Sequence, residues 1–128
     1  MKESKPRKQC RIAVTSAGND LNSKVSLIGR SSHFILFEGT PERYTVIENA
    51  SRGVGTESGA EAAKALAETK VDIVITGTIG SHAYRALQEA GISVKAGCSG
   101  TIAEAIKKCA AGELAECKGA TYAGNIEL

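Results

Sequence analysis

The amino-acid sequence predicts an α/β fold in which a mixed five-stranded sheet carries helices on its faces. The first third of the chain has three strand-like segments between short turns, and RYTVIEN at 43–49 alternates in the way that is typical of antiparallel strands. The second half has two apolar runs, each followed by a glycine turn and a helical pattern, as in parallel β-α units. A chain of 128 residues with 42% hydrophobic and 23% charged residues is long and apolar enough to form one core.

Five segments have the character of strands. The second and third are separated by a short turn, which predicts an antiparallel hairpin. The fourth is almost continuously apolar, as expected of a parallel strand that is covered on both faces. In chain order the segments are CRIAVTSAG from residue 10, HFILFEG from 33, RYTVIEN from 43, VDIVITG from 71 and ISVKAG from 92.

Three helical patterns accompany the later strands. Ser58 and Glu61 have the spacing of a capping box, and so do Thr101 and Glu104. Gly91 is placed to end the second helix. The resulting order is β-β-β-α-β-α-β-α, and right-handed crossovers would set the fourth and fifth strands beside the first. This is a ribonuclease H-like three-layer arrangement.

Charge divides the chain into three parts. Residues 1–9 carry four basic side chains and one acidic side chain, and we interpret them as a disordered basic tail. Residues 10–115 form the predicted domain, and 116–128 form a weakly patterned C-terminal extension. The body of the chain is nearly neutral and poor in aromatic residues, so we expect no nucleic-acid partner. No apolar run is long enough for a membrane span and no signal-peptide pattern is present, so we expect a cytoplasmic protein with reduced thiols.

The predicted ligand site follows from the predicted topology. Open α/β sheets bind ligands beyond the carboxyl ends of their parallel strands, where the loops Ala17–Arg30, Gly77–His82 and Gly97–Thr101 should converge. Two of these loops open helices, and the N–H groups at helix N-termini attract anions. The candidate ligand-binding residues are Asn19, Ser26, Arg30, Gly77, Thr78, Gly80, Ser81, Gly97, Ser99, Gly100 and Thr101.

Two side chains of this region are candidate metal ligands. Cys98 lies three residues before Thr101, and a helix N-terminus lowers the pKa of a thiol and favours the metal-binding thiolate. The alternative is that Cys98 is a small residue in a tight turn. His82, at the first turn of its helix, is either a second ligand or a solvent-exposed histidine. Cys109 lies on an apolar helix face and is predicted to be a core thiol.

The sequence gives little support for catalysis. A nuclease on such a sheet needs paired carboxylates for two metal ions. The only aspartates are Asp20 and Asp72, and Asp72 begins its strand at the opposite end of the sheet. The sequence also has no G-x-S-x-G motif and no Walker loop. We therefore predict a binding protein and not an enzyme.

Several segments carry a resemblance to a known family. They are GNDLNSKVS with Gly29-Arg30, IEN at 47–49, VDIVITGTIGSHAYRALQEAGISVKAGCSGTIAEAI at 71–106, and AGEL at 111–114. Over about residues 11–115 they resemble the dinitrogenase iron–molybdenum cofactor biosynthesis family. The resemblance implies a ribonuclease H-like fold and non-catalytic binding or carriage of an iron–molybdenum–sulfur cluster or its precursor. It also implies a cofactor-assembly or acceptor protein as a partner.

The chain departs from the family pattern in the first loop. Members of the family often have a histidine and an aromatic residue before the Gly-Arg pair, whereas Ser26–Arg30 contains neither. Cys98 and His82 are the candidate replacements for that histidine as ligands. A molybdenum–copper cluster or a non-metallic anion is an alternative cargo. A separate hypothesis is a binding module for a phosphorylated or nucleotide ligand at the same glycine-rich loops.

Overall fold

A computed structural model of the 128-residue chain describes residues 11–38, 42–49 and 58–112. Within these residues the strands and helices follow the predicted order. The strands are β1 (Arg11–Ser16), β2 (His33–Glu38), β3 (Tyr44–Glu48), β4 (Ile73–Ile75) and β5 (Ser93–Lys95). The helices are α1 (Ser58–Glu68), α2 (Ser81–Glu89) and α3 (Ile102–Ala110). The predicted tail, the C-terminal extension and the side chain of Ser58 lie outside the described residues.

The strands form one mixed sheet in the order β3-β2-β1-β4-β5. β1 pairs antiparallel with β2, and β2 pairs antiparallel with β3, which confirms the predicted hairpin. β4 lies parallel to β1, and β5 lies parallel to β4, as the right-handed crossover rule predicted. The chain therefore leaves β1, β4 and β5 at the same edge of the sheet.

Both faces of the sheet are covered by helices. Neighbouring residues of β1 point to opposite faces, so Ala13 packs into one core cluster and Val14 into another. The first cluster holds α1 and α2 against the sheet through Ala62, Ala63, Leu66, Ala83 and Leu87. The second holds α3 through Ile102, Ala105 and Ile106. Each fully buried leucine or isoleucine side chain contributes about 1.5–3 kcal/mol, so these clusters stabilise the predicted three-layer arrangement.

Glycines end two of the helices. Gly91 has a φ angle of +78° and ends α2, as predicted, and Gly112 has a φ angle of +75° after the end of α3. Ala90, the C-cap residue of α2, is exposed. The Asp72 carboxylate accepts the Arg11 N–H at 2.9 Å, at the edge opposite to the loops. No helix in the described ranges is long and apolar enough to cross a membrane.

Candidate functional site

A single main-chain carbonyl joins the first two loops. The Ser26 carbonyl accepts the Gly77 N–H at 3.1 Å and the Thr15 hydroxyl at 2.6 Å. The Thr76 hydroxyl lies 3.2 Å from the same oxygen and 2.8 Å from the Thr15 hydroxyl. Both threonines are 0% exposed at the ends of β1 and β4, where a buried hydroxyl needs a partner. This junction holds the first loop against the start of the second.

The third loop joins the other two through main-chain hydrogen bonds. Gly97 donates its N–H to the Gly77 carbonyl at 2.5 Å, and Val25 donates its N–H to the Gly100 carbonyl at 2.9 Å. Gly97 and Gly100 have φ angles of +80° and +90°, which side chains other than that of glycine rarely allow. The three loops therefore converge at the carboxyl edge of the sheet, as predicted, and we call this surface the loop face.

The chain's own acceptors close the N-terminus of α3. Thr101 accepts the Glu104 N–H at 3.2 Å and the Glu104 carboxylate accepts the Thr101 N–H at 2.9 Å, which confirms the predicted capping box. The next donors, Ile102 N–H and Ala103 N–H, reach the Ser23 and Leu21 carbonyls of the first loop at 2.9 and 3.0 Å. Because these donors are engaged within the chain, the anion-binding expectation does not extend to the first turn of α3.

The N-terminus of α2 differs. Gly80 is its N-cap, with extended backbone angles and no side-chain hydrogen bond to the helix. Among the described residues, none accepts the N–H groups of Ser81, His82 and Ala83. The side chains of Thr78, Ser81 and His82 are exposed around this helix end. α2 therefore presents uncapped donors and the positive end of its dipole at the loop face.

The remaining predicted residues line the rim of the first and third loops. Asn19, Arg30 and Ser99 are exposed, so their side chains are accessible to a ligand. Ser26 is half-buried, and its carbonyl oxygen is used in the loop junction. Gly77 and Gly97 likewise serve the junction through their main-chain groups. The structure therefore separates residues that build the loop face from residues that remain open on it.

The sequence analysis did not identify the buried polar residues that hold the end of the first loop in place. The Asn49 side-chain amide, which is buried, donates to the Ser31 carbonyl at 2.8 Å. The Ser31 hydroxyl in turn donates to the Ile28 carbonyl at 3.0 Å. The available signals were polar residues at the ends of apolar strands: Asn49 after β3, and Thr15 and Thr76 in β1 and after β4.

The structure corrects the expected chemistry of Cys98. The side chain is half-buried and packs against the second core cluster. Burial raises the pKa of the Cys98 thiol above its ordinary value, and the nearby Lys108 only partly opposes this. The predicted lowering of the pKa by a helix N-terminus is wrong, because the core contact outweighs it. Burial also raises the pKa of Cys109, which packs against the same cluster as predicted.

The described residues do not form a set of metal ligands by themselves. No three His, Cys, Asp or Glu side chains in ranges 11–38, 42–49 and 58–112 come together as a metal site. A metal ion bound by protein alone needs such a ligand set.

Comparison with known proteins gives one family and several structures of the same fold. The sequence model of the family described as dinitrogenase iron–molybdenum cofactor matches residues 9–112. The apo form of the orange protein from Desulfovibrio gigas is 30% identical, with a TM-score of 0.82 over 88% of this chain and 96% of that one. A Thermotoga protein with a provisional NifB name is 32% identical, with a TM-score of 0.75 over 90% of this chain and 99% of that one.

A more distant structure shares the fold alone. It is a protein from Methanocaldococcus jannaschii, provisionally named a dinitrogenase, which is 15% identical with a TM-score of 0.66 over 88% of this chain and 99% of that one. None of the curated protein sequences compared with the chain matches it. Because the family model spans most of the chain and ends where α3 ends, the chain belongs to the dinitrogenase iron–molybdenum cofactor family.

Proposed function

We propose that the protein binds a preassembled, anionic metal–sulfur cluster as cargo at the loop face and catalyses no reaction on it. The cargo is a cluster of the iron–molybdenum type or its precursor, or a molybdenum–copper cluster. Family membership supports the cluster class, and the likeness to the orange protein supports binding by a small single domain. A carrier of this kind would hand its cargo to a cofactor-assembly or acceptor protein.

The observation that carries the proposal is the uncapped N-terminus of α2. Ser81, His82 and Ala83 offer adjacent N–H groups that no described residue accepts. Such donors and the helix dipole stabilise negative charge, and they do so without a lysine or arginine side chain. A sulfide-rich cluster spreads its negative charge over several sulfur atoms, which suits a group of adjacent donors better than one strong ligand.

Exposed side chains of the three loops would add to these donors. His82 has an imidazole nitrogen that can ligate iron, copper or molybdenum. Arg30 provides a planar guanidinium for sulfide or oxo groups. Thr78, Ser99 and Asn19 complete the proposed rim of the site.

Cys98 has a secondary place in this proposal. A thiol must lose its proton before it can ligate a metal, and burial makes that loss harder for Cys98. Its N–H is already donated to the Thr76 carbonyl at 3.1 Å. The side chain would therefore contribute to the floor of the third loop more than to the affinity for the cluster.

The test is an anaerobic titration of the protein with two probes. One is an isolated iron–molybdenum–sulfur cluster, and the other is tetrathiomolybdate with Cu(I), each followed by visible absorption. We expect saturable binding of at least one probe by the wild type, clearly weaker binding by His82→Ala, and nearly unchanged binding by Cys98→Ser. Failure of the wild type to bind either probe would contradict the proposal, whereas loss of binding only in Cys98→Ser would move the site to the third loop.

A phosphorylated or nucleotide ligand is the second candidate, because Arg30 and the same α2 donors also suit phosphate oxygens. A thermal-shift panel of inorganic phosphate and common nucleotides separates the two cases. A ligand at 100 times its Kd adds about 2.7 kcal/mol to the free energy of unfolding, which is readily seen as a shift in Tm. Shifts with nucleotides and no cluster binding would replace the cluster with this second ligand class.

A further inference from the structure

The outer edge of β3 lies apart from the loop face, and no strand of the described residues pairs with it. β3 is the last strand of the sheet and pairs on one side, with β2. The Glu38 N–H donates to the Arg43 carbonyl at 3.0 Å, and the Asn49 N–H donates to the Ser32 carbonyl at 2.9 Å. In an antiparallel ladder the bonded pairs recur every second residue, so Thr45 and Ile47 also bond to β2.

The residues between them point their main-chain groups outward. These residues are Tyr44, Val46 and Glu48, and their outward N–H and carbonyl groups have no partner among the described residues. Exposed edges of this kind are usually blunted by short length, by lysine or by proline. β5, the opposite edge, has three residues including Lys95, whereas β3 has five residues without lysine or proline.

The side chains of β3 also favour a partner at this edge. Tyr44 is 43% exposed and is the one large apolar side chain exposed among the described residues. It stacks at a tilt on Phe37 of β2, with a ring-centroid separation of 5.6 Å. Val46 points to the same face of the sheet as Tyr44 and is half-buried against the second core cluster. An edge strand added beside β3 would cover both side chains.

We propose that β3 pairs antiparallel with β3 of a second copy of this chain, about a two-fold axis through Val46, so that two sheets become one. This register faces Val46 with Val46 of the second copy and Tyr44 with Glu48 of the second copy. Each facing pair exchanges two main-chain hydrogen bonds, so every outward group of the strand finds a partner. Tyr44 also faces Glu48 of the second copy across the axis, so this register opposes no like charges within the strand.

The registers centred on Thr45, Ile47 and Glu48 are less favourable than the one centred on Val46. Centring the axis on Thr45 would place Glu42 opposite Glu48 of the second copy, and centring it on Glu48 would place two Glu48 side chains together. Directly opposed like charges destabilise a strand pair. Centring it on Ile47 would move Tyr44 beyond the end of the facing strand. Of the registers centred on Thr45, Val46, Ile47 and Glu48, the one centred on Val46 keeps Tyr44 paired without opposing like charges, which favours a second copy over an unrelated extended peptide.

The first test is the oligomeric state of the full chain, measured by sedimentation velocity over a range of protein concentrations. We expect a concentration-dependent dimer that Val46→Pro weakens at least about tenfold, because proline removes the N–H that both axis bonds use. Val46→Ala keeps that N–H and is the control for loss of the side chain. A monomer at every concentration, or a dimer equally stable in Val46→Pro, would overturn the proposal. It would do so even if the β3 edge bound a strand of another protein.

Cysteine cross-linking tests the register even if Val46→Pro does not fold. The four native cysteines are first replaced by serine, and single cysteines are then introduced by Val46→Cys or Glu48→Cys. Residues facing each other in a bonded pair have Cα atoms about 5.5 Å apart, within disulfide range. The two Glu48→Cys positions would be about 14 Å apart, because each residue advances a strand by about 3.4 Å. We expect rapid cross-linking at 46 only; cross-linking at 48, or none at 46, would contradict the proposed register.

Discussion

The N-termini of α2 and α3 occupy equivalent places in the fold. They differ in which groups accept the first N–H donors of each helix. Each helix follows a parallel strand and a glycine-containing turn at the same edge of the sheet. At α3 the cap residue Thr101, the Glu104 carboxylate and two carbonyls of the first loop accept the first donors. At α2 the cap residue is Gly80, which has no side chain to offer. One helix end holds the loops together, and the other has N–H donors that no described residue accepts.

This difference shows that a helix N-terminus is an anion site only when the chain leaves it unsatisfied. Four N–H groups at every helix start lack an intrahelical acceptor, and a cap, a loop or a ligand must satisfy them if they are buried. The sequence shows which helix has a side-chain cap. Thr101 and Glu104 have capping-box spacing, whereas Gly80 precedes Ser81 and His82. The expected anion site therefore applies to the N-terminus of α2 and not to that of α3.

Giving α2 a cap of its own should have the largest effect. The Gly80 backbone angles of φ −84° and ψ 174° are open to any residue, and aspartate at that position would accept the N–H groups of the first turn. We expect Gly80→Asp to weaken cluster binding at least about tenfold, a change of 1.4 kcal/mol, because its carboxylate competes with and repels the anionic cargo. Anaerobic titration followed by visible absorption measures this change.

The control for this variant separates capping from charge. Gly80→Asn caps the same donors without adding a negative charge, so it should weaken binding less than Gly80→Asp. Both variants should keep or slightly raise Tm, since asparagine and aspartate are better caps than glycine by a few tenths of a kcal/mol. Full cluster binding by a well-folded Gly80→Asp protein would show that α2 is not the site.

Removing the cap of α3 should produce the opposite pattern. Thr101→Ala deletes the hydroxyl that accepts the Glu104 N–H, and loss of such a cap costs about 1 kcal/mol of stability. Cluster binding should change little, because this helix end is closed in the wild type. Urea denaturation measures the loss of stability and the same cluster titration measures binding. A stable Thr101→Ala protein that no longer binds cluster would reverse the roles assigned to the two helix ends.

The strand order and the two faces of the core could be predicted because they depend on local patterns. β1 alternates Ala13 and Val14 between the two core clusters, and the apolar run around Val74 marks a strand covered on both faces. Glycines with positive φ angles, such as Gly91, end helices where the sequence placed them. These features need only neighbours in the chain and the handedness of parallel crossovers.

The site was harder to predict because its contacts join residues far apart in the sequence. The Ser26 carbonyl meets Thr76, 50 residues away, and Asn49 bonds Ser31 across 18 residues. No periodicity encodes such pairs, and only the polar character of strand ends indicated them. The chemistry of Cys98 was misjudged for the same reason, since its burial depends on α3 packing over the sheet.

Cys98 should give a smaller effect that appears only at alkaline pH. Because burial raises the pKa of the folded thiol, the unfolded chain loses this proton at a lower pH than the folded chain. Its stabilising contribution is therefore complete at neutral pH and is lost as pH rises through the folded pKa. We expect the free energy of unfolding of the wild type to fall more than that of Cys98→Ala between pH 7 and alkaline pH, as measured by urea denaturation. Equal slopes for the two proteins would mean that the thiol is solvated in solution.

Glu104 should give the smallest effect, and with the opposite sign in pH. Its hydrogen bond from the Thr101 N–H lowers the pKa of the carboxyl, with nearby Lys108 and Lys24 acting in the same direction. The contribution is present above the ordinary glutamate pKa and is lost as pH falls through the lowered folded value. Glu104→Gln keeps an acceptor oxygen but cannot titrate, so the stabilities of variant and wild type should converge in acid. Added salt should reduce the difference at neutral pH, because the carboxylate is exposed and its lysine contacts are screened. A difference in the free energy of unfolding that persisted in acid and in high salt would mean that Glu104 caps α3 by shape and hydrogen bonding alone. The charge of Glu104 would then not contribute to the contrast with α2.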